Sequence, residues 1–234
     1  MMKTYAIADL HGRFDLLEMA IERIEASADG GKVVFLGDYV DRGPQSRQII
    51  DRLMAGSQRA GWRWICLRGN HEDIMVTCCG TPRLIGSWWI PNGGARTLIS
   101  YGAKVGDDAI DAAKNVPATH LEWMRALSRM HVDQHRVFVH AGVDPDKPLL
   151  LQDDEELGWK LYDDDDDRGH GERHVVHGHH QFEDGPILLA GRTDLDTFAW
   201  FTGRLVVGVF DDEKPGGPAD LIVVQGSHIQ DIRR

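Results

Sequence analysis

Cysteine is scarce in this sequence, and its spacing does not indicate a disulfide framework. The 234 residues include three cysteines, Cys66, Cys78 and Cys79. The number is odd and no two of them form a C-x-x-C pair, so a network of disulfides is not expected. Secreted proteins depend on such networks, whereas a few unpaired cysteines are typical of reducing compartments. We therefore predict a cytoplasmic protein.

The sequence also lacks a long hydrophobic run and an excess of positive charge. No segment approaches the length of a membrane span, and the apolar stretch at the N-terminus is too short for a signal peptide and contains Asp9. Acidic residues outnumber basic residues by 37 to 26, which gives a net charge of −11. Because such a surface repels phosphate backbones, we do not expect nucleic acid as a partner. Because no segment is long enough to span a membrane, we do not expect a membrane either.

What the sequence does contain is an alternation of strands and helices in its first 80 residues. Short apolar strands are predicted at Lys3–Asp9, Lys32–Asp38 and Trp62–Gly69, and a helical pattern follows each of them. This alternation indicates βαβ units and a mostly parallel sheet. From about residue 80 to 130, Gly, Pro and Trp replace the strand pattern and predict a mainly helical cap insertion. The rest is β-rich and expected to be largely antiparallel, within one α/β (α+β) domain spanning 1–234.

Polar side chains collect at the carboxyl ends of five predicted strands. The stretch GDYVDRG, from Gly37 to Gly43, places two carboxylates and a guanidinium directly after an apolar strand. Ligands bind beyond these strand ends in open α/β sheets, so neighbouring strands would bring the five clusters to one site. The clusters are Asp9-x-His11, Asp38-x-x-Asp41-Arg42, Asn70-His71-Glu72, His140-Ala141-Gly142 and His177-Gly178-His179.

The donor atoms in these clusters indicate a metal centre. Oxygens of Asp and Asn together with nitrogens of His suit Mn, Fe or Zn better than calcium. The absence of cysteine from the clusters argues against a structural zinc site. There are enough donors for two ions that share a carboxylate, which is the usual arrangement for displacement at phosphorus. We predict two divalent metal ions, with Mn preferred and Fe/Zn or Ni as alternatives.

The motifs ADLHG, GDYVDRG and RGNHE, followed by HAG and GH, resemble the signature of the phosphoprotein phosphatase branch of the metallophosphoesterases. The segments NGGARTLISYG and DTFAWFTGRLVV resemble the cap and the C-terminal strand pair of small bacterial serine/threonine phosphatases. The resemblance covers nearly the whole chain. It implies a calcineurin-like metallophosphoesterase fold, with a central mixed β-sandwich flanked by helices and a mainly helical cap insertion.

The resemblance also implies a set of metal ligands at the matching positions. These are Asp9 and His11 for the first ion, Asp38 as the bridge between both ions, and Asn70, His140 and His179 for the second. His179 is preferred to His177 and His180 because the ligand in this family directly follows a glycine.

Three further residues take catalytic roles by the same resemblance. His71 is expected to protonate the leaving oxygen, and Asp41 to orient His71. Arg42 is expected to bind phosphate oxygens and to stabilise charge in the transition state. The implied reaction is in-line attack on phosphorus by a hydroxide that bridges the metals, with no phospho-enzyme intermediate.

The sequence departs from the family pattern at two positions. Ala8 stands where the first motif usually has glycine, which is a small change. Many relatives also carry a Trp-x-Arg segment that supplies a second phosphate-binding arginine, and here Leu161 occupies the arginine position. Lys160, Arg168 or Arg173 could replace that arginine.

Two enzymatic functions agree with these motifs. The first hypothesis is a phosphoric monoester hydrolase that removes phosphate from phosphoserine and phosphothreonine in proteins. Its partner would be a phosphorylated protein or a small phosphate ester. The alternative is a dinucleoside polyphosphate hydrolase acting on diadenosine tetraphosphate. A basic pocket flanked by aromatic side chains would favour the alternative, and Arg83, Trp88 and Trp89 are its candidates, although both tryptophans are expected to form the core of the cap insertion. The acidic run Asp163–Asp167, interpreted as a solvated loop, favours a basic or peptide-like partner.

Overall fold

The computed structural model describes residues 2–163 and 165–228. The strands are β1 (Lys3–Ile7), β2 (Gly31–Phe35), β3 (Trp62–Cys66), β4 (Met130–Val132), β5 (Arg136–Val139), β6 (His174–His177), β7 (Ile187–Leu188), β8 (Arg192–Asp194), β9 (Arg204–Asp211) and β10 (Asp220–Gln225). The α-helices are α1 (Phe14–Ser27), α2 (Ser46–Ala55), α3 (Asn70–Gly80), α4 (Gly94–Ser100), α5 (Ala109–Ala113), α6 (Ala118–Ala126), α7 (Asp154–Trp159) and α8 (Ala199–Thr202). Within the described residues, no helix is long and apolar enough to cross a membrane.

The strands form two mixed sheets of five strands each. In the first sheet, with the order β10-β9-β1-β2-β3, strands β1 to β3 are parallel and β9 is antiparallel to both of its neighbours. In the second, with the order β4-β5-β6-β8-β7, the three central strands are parallel and the outer two are antiparallel. The expectation of a largely antiparallel second half is therefore wrong for β5, β6 and β8. The long connection that contains α7 provides the crossover that a parallel pair requires.

Alternating side chains in the strands divide the core into layers. In β1, Tyr5 and Ile7 face the helices α1 to α3, whereas Ala6 faces the second sheet, because successive side chains of a strand point to opposite faces. Phe138 of β5 and Phe210 of β9 meet between the sheets, with ring centroids 5.7 Å apart. A smaller cluster lies between the second sheet and α7. This arrangement confirms the predicted mixed β-sandwich flanked by helices.

The cap insertion occupies residues 82–126 between α3 and β4. Three short helical turns, Pro82–Leu84, Ile85–Trp89 and Ile90–Asn92, precede α4, α5 and α6. Trp89 is fully buried and Trp88 packs against the same cluster, so the prediction that both tryptophans belong to the core is confirmed. The description of 1–234 as one domain with this insertion stays a prediction.

The three N-terminal strands end earlier than the sequence pattern predicts. β1, β2 and β3 end at Ile7, Phe35 and Cys66, two or three residues before the predicted ends at Asp9, Asp38 and Gly69. The residues after each strand form loops at the same edge of the sheet. The polar clusters after β1 and β2 therefore lie on irregular backbone beyond the strands, whereas Asn70, His71 and Glu72 form the first turn of α3.

The close approach of two of these loops yields a prediction about stability. A Cβ on Gly12, whose φ is +68°, would lie 2.6 Å from the carbonyl carbon of Gly43. Gly171 has a similar φ of +59° but no atom within 4 Å of the corresponding position. We expect Gly12→Ala to lower the free energy of unfolding by about 2 kcal/mol more than Gly171→Ala, because backbone atoms must move apart. Urea unfolding of both variants measures this difference, and equal losses would contradict it.

Candidate metal and catalytic site

The five polar clusters converge on one buried site at the carboxyl edge of both sheets. Two groups of possible metal-binding side chains occur within the described residues, and the ligand atoms of each group lie within 4.8 Å of one another. One group is His11, Asp38 and His71, and the other is Asp38, His140 and His179. Asp38 belongs to both, which is the position expected of a bridging carboxylate.

The backbone of the site is strained. Among the described residues, seven non-glycine residues have positive φ angles, and six of them are site residues: Asp9, His11, Asp38, Asp41, Arg42 and His179. Such conformations are uncommon for residues with a Cβ and cost about 1–3 kcal/mol each. Surrounding contacts must therefore hold this backbone in place.

Glu72 supplies the contacts that hold the loop after β2. Its fully buried carboxylate accepts hydrogen bonds from the backbone N–H groups of Asp38 (2.9 Å), Tyr39 (2.8 Å) and Val40 (3.3 Å). It also accepts from the N–H of Gly69, at 2.9 Å. Sequence reasoning gave Glu72 no role. Its position three residues after Gly69, at the start of α3, is the spacing at which a glutamate accepts from the residue before a helix, and was the available signal.

Hydrogen bonds set the orientation of two imidazoles in the site. The Nδ1–H of His11 donates to the Val40 carbonyl at 2.8 Å, and that of His140 donates to the Leu36 carbonyl at 3.1 Å. The Nε2 atom of each ring therefore carries a lone pair, and each lies 3.4 Å from a carboxylate oxygen of Asp38. Lone pairs of imidazole and carboxylate that point at one another are suited to a shared cation.

Burial keeps these imidazoles neutral. It lowers the pKa of His11 and His140, with the charges of neighbouring side chains as smaller influences. Burial and the nearby His140 lower the pKa of His179 to about 3. A neutral imidazole is the form that binds a metal, so protons do not compete with a cation at neutral pH.

The side-chain oxygens of Asp9 and Asn70 also have surroundings that fit bound cations. Asp9 lies outside both groups; its Oδ2 accepts from the N–H of His179 at 3.0 Å, and its buried Oδ1 has no hydrogen-bond partner. Burial and the charges of Asp196 and Asp38 raise the pKa of Asp9. The Asn70 oxygen faces only acceptors, on Asp38 and His140, and a turned amide would instead donate to them. The unpartnered Asp9 oxygen and the acceptors that converge around Asp38 and Asn70 suit divalent cations.

His71, Asp41 and Arg42 form a hydrogen-bonded set beside this cluster. The Nδ1–H of His71 donates to Asp41 Oδ2 at 2.7 Å. Arg42 spans the neighbouring rings, with Nη2 lying 3.0 Å from His71 Nε2 and Nη1 lying 2.8 Å from His11 Nε2. Burial alone would lower the pKa of His71, but the carboxylates of Asp38 and Asp41 outweigh it and raise this pKa. Arg42 opposes this shift and its N–H faces Nε2, but the pKa of His71 still moves in the direction opposite to those of His11 and His140.

The three histidines near Gly178 differ in what their rings contact, and the choice of His179 as the ligand stays a prediction. Both nitrogens of His177 are engaged elsewhere, since Nδ1 lies 3.0 Å from the Gly178 carbonyl and Nε2 lies 3.3 Å from Arg192. The ring of His180 packs on Phe182. The ring of His179 stands edge-on to His140, with centroids 5.0 Å apart.

Two of the three candidates for the second phosphate-binding residue are held elsewhere. Arg168 pairs with Asp166 on the surface, and Arg173 donates to a backbone carbonyl. Lys160 lies beside Gly142 in the loop after β5. A Cβ added to Gly142 would lie 2.7 Å from the Cδ atom of Lys160. Leu161, at the family's arginine position, is exposed.

A groove of about 400 Å³ lies next to the metal cluster and is lined in part by Arg42, Arg96 and Trp200. The Arg42 guanidinium lies 5.9 Å from the centroid of the Trp200 ring. Sequence reasoning missed Arg96 and Trp200 and named Arg83, Trp88 and Trp89 as candidates for such a pocket. Those three do not line this groove. Arg96 lies in the cap insertion and Trp200 in α8, so no local pattern connects them.

A family model described as calcineurin-like phosphoesterase matches residues 2–224. The chain belongs to this family, and the resemblance to metallophosphoesterases is confirmed at that level. The match agrees with the two mixed sheets and with a His/Asp cluster that suits two metal ions.

Curated relatives are named symmetrical bis(5′-nucleosyl)-tetraphosphatases. One, from Janthinobacterium sp. (strain Marseille), is 33% identical over 145 residues, which cover 62% of this chain and 45% of the relative. Another, from Pseudomonas fluorescens (strain Pf0-1), is 29% identical over 168 residues, covering 70% of this chain and 50% of the relative. The chain thus spans about half the length of the curated relatives it matches.

Solved structures share the fold at low sequence identity. A protein provisionally described as a diadenosine tetraphosphatase aligns with a TM-score of 0.66 at 20% identity, covering 97% of this chain and 94% of that one. A cold-active protein tyrosine phosphatase aligns with a TM-score of 0.60 at 15% identity, covering 96% and 79%. At these identities the comparisons show the fold alone.

The hypothesis of a protein phosphatase acting on phosphoserine and phosphothreonine is wrong. The curated relatives carry the name of a dinucleotide hydrolase instead. The misleading motifs encode the metal cluster and the fold, which both kinds of enzyme share. Those motifs do not include Arg96 and Trp200, which line the groove beside the cluster.

The contacts of Glu72 yield a second prediction. We expect Glu72→Gln to lower the free energy of unfolding by about 2–4 kcal/mol, because the new amide NH₂ would face backbone N–H donors in a buried place. Glu22→Gln, at an exposed position of α1, is the matched control and should change stability by less than about 0.5 kcal/mol. Chemical unfolding measures both variants, and a neutral Glu72→Gln would refute the role of the carboxylate.

A third prediction concerns metal affinity. His179→Ala should weaken the binding of Mn²⁺ by at least about 10–100-fold, since the loss of a supporting residue alone has effects of this size. His180→Ala changes the neighbouring imidazole and should leave the affinity unaltered. Titration calorimetry on metal-stripped protein measures both. An equal loss in the two variants would show that His179 has no special place at the metal.

Proposed function

We propose that this protein hydrolyses the phosphoanhydride chain of dinucleoside polyphosphates, with diadenosine tetraphosphate as the representative substrate. The groove that joins Arg42, Arg96 and Trp200 beside the metal cluster carries the proposal. It is the basic, aromatic-flanked pocket by which the sequence analysis distinguished the two functions. The name of the curated relatives supports the same substrate class.

The groove suits an anion and a flat ring side by side. Arg42 and Arg96 are both half-buried, and Arg96 forms no ion pair with any residue that the structure describes. Trp200 is half-buried and its ring is held edge-on by Phe198, with centroids 5.1 Å apart. A nucleobase stacked on such a ring gains about 1–3 kcal/mol, and guanidinium groups bind phosphate oxygens through paired N–H donors.

The residues of the metal cluster would hold two divalent ions, with Mn²⁺ as the preferred metal. The proposed ligands are Asp9, His11, Asp38, Asn70, His140 and His179. Two ions held there would polarise the phosphoryl oxygens and lower the pKa of water.

The neighbouring side chains complete the proposed reaction. Arg42 binds phosphoryl oxygens and stabilises the negative charge that develops on them. His71 delivers a proton from Nε2 to the leaving phosphate oxygen, while its Nδ1–H continues to donate to Asp41 Oδ2. We propose a small phosphate ester as the partner. The cytoplasmic location inferred from cysteine usage stays a prediction.

A comparison of substrates tests the proposal. Trp200→Ala and Arg96→Ala should each raise KM for diadenosine tetraphosphate about 10-fold or more, because each removes a contact to the nucleotide. Hydrolysis of 4-nitrophenyl phosphate, which has no nucleotide, should change little. Arg83→Ala, at an exposed position of the cap insertion, is the matched control.

Chromatography of the nucleotide products supplies a second readout. Symmetrical cleavage of diadenosine tetraphosphate releases ADP alone. No turnover of this dinucleotide by metal-loaded protein that hydrolyses 4-nitrophenyl phosphate would refute the proposed substrate. Equal effects of Arg83→Ala and Arg96→Ala would refute the role of the groove.

A further inference from the structure

The carboxylate of Asp41 is held from two sides. Its Oδ2 accepts from His71, whereas its Oδ1 accepts from the indole N–H of Trp89 at 2.9 Å and from the hydroxyl of Thr97 at 2.7 Å. Asp41, Trp89 and Thr97 are all fully buried. Trp89 and Thr97 belong to the cap insertion, which sequence reasoning connected only with packing and with the substrate.

The same part of the cap insertion also holds the backbone on which Asp41 lies. The Asp41 N–H donates to Thr97 Oγ1 at 2.8 Å, and the Arg42 N–H donates to the Gly93 carbonyl at 3.3 Å. Asp41 and Arg42 have φ angles of +71° and +65°, which are unfavourable for residues with a Cβ. Contacts from the insertion therefore stabilise a strained turn.

The packing around Trp89 fixes the direction of its N–H. A Cβ on Gly94 would lie 2.5 Å from Cδ1 of the indole, so the start of α4 rests directly on the ring. The ring is fully buried, and this packing holds its N–H towards Oδ1. Because a carboxylate can rotate about its terminal bond, two fixed donors on Oδ1 determine where Oδ2 points.

We propose that Trp89 and Thr97 are positioning residues that hold Asp41 in the orientation in which it binds His71. The cap insertion is then part of the proton-donating apparatus as well as a wall of the groove. This inference rests on the proposed function, since it takes His71 as the donor of a proton to the leaving group. A misplaced Asp41 leaves the His71 ring free to turn its Nε2 away from that group.

The leaving group of the substrate distinguishes positioning from a general structural role. Phenyl phosphate has a basic leaving group that needs a proton, whereas 4-nitrophenyl phosphate has a weakly basic one that needs it far less. We expect Trp89→Phe and Thr97→Val to lower kcat for phenyl phosphate about 10–100-fold, part of the contribution of a general acid. The loss with 4-nitrophenyl phosphate should be less than about 3-fold, and KM should not change for either substrate.

Three controls accompany these variants. Trp88→Phe removes the neighbouring indole N–H, which makes no contact with Asp41, and should behave as the parent protein does. Thr97→Ser keeps the hydroxyl and should recover most of the activity that Thr97→Val loses. In a His71→Asn background, Trp89→Phe should cause no further loss, because the two residues act through one interaction.

A readout without turnover separates this inference from the proposed function. Proton NMR should show a downfield signal for His71 Nδ1–H that is missing in His71→Asn. Trp89→Phe and Thr97→Val should shift or broaden it, and Trp88→Phe should not. The aryl phosphates carry no nucleotide, so failure to cleave diadenosine tetraphosphate would refute the substrate class without affecting this test. An unchanged NMR signal, or equal losses of kcat with both aryl phosphates, would overturn the proposal.

Discussion

The site depends on the hydrogen bonds that four backbone N–H groups donate to the carboxylate of Glu72. It joins the loop after β2 to the start of α3, and these segments carry Asp38, Asn70 and His71. Each buried N–H left without a partner would cost about 1–3 kcal/mol. This energy is similar to the strain of about 1–3 kcal/mol for each residue with a positive φ angle in the loops. Glu72 therefore stabilises the loops that position the donor atoms around Asp38.

The site contains two kinds of histidine, whose pKa values are shifted in opposite directions by their surroundings. His11 and His140 are buried and His179 is half-buried; the pKa values of all three are lowered, so they stay neutral, as metal binding requires. His71 is also buried, but two carboxylates raise its pKa and favour the proton that an acid must carry. The difference lies in the partner of Nδ1. For His71 it is the Asp41 carboxylate, whereas for His11 and His140 it is a backbone carbonyl.

The cap insertion connects packing with chemistry. One side of it buries Trp89 in the main hydrophobic cluster, and from there the indole N–H reaches Asp41. Another part brings Arg96 to the groove opposite Trp200 of α8. The change of pattern near residue 80 predicts the insertion and its tryptophan core. The polar contacts could not be predicted in this way, because the sequence around a buried tryptophan is the same whether or not its N–H has a partner.

The sequence by itself determined the family, the order of the first strands and helices and the candidate donors of the metal cluster. These follow from local motifs, since each donor lies within a few residues of a strand end and parallel strands share that edge. The tertiary structure decided what surrounds the cluster. Arg42, Arg96 and Trp200 are separated by more than 50 residues each along the chain and meet only after the cap insertion and α8 pack against the first sheet. The motifs describe the metal cluster and not these walls as a whole, so a correct interpretation of the motifs still led to the wrong substrate.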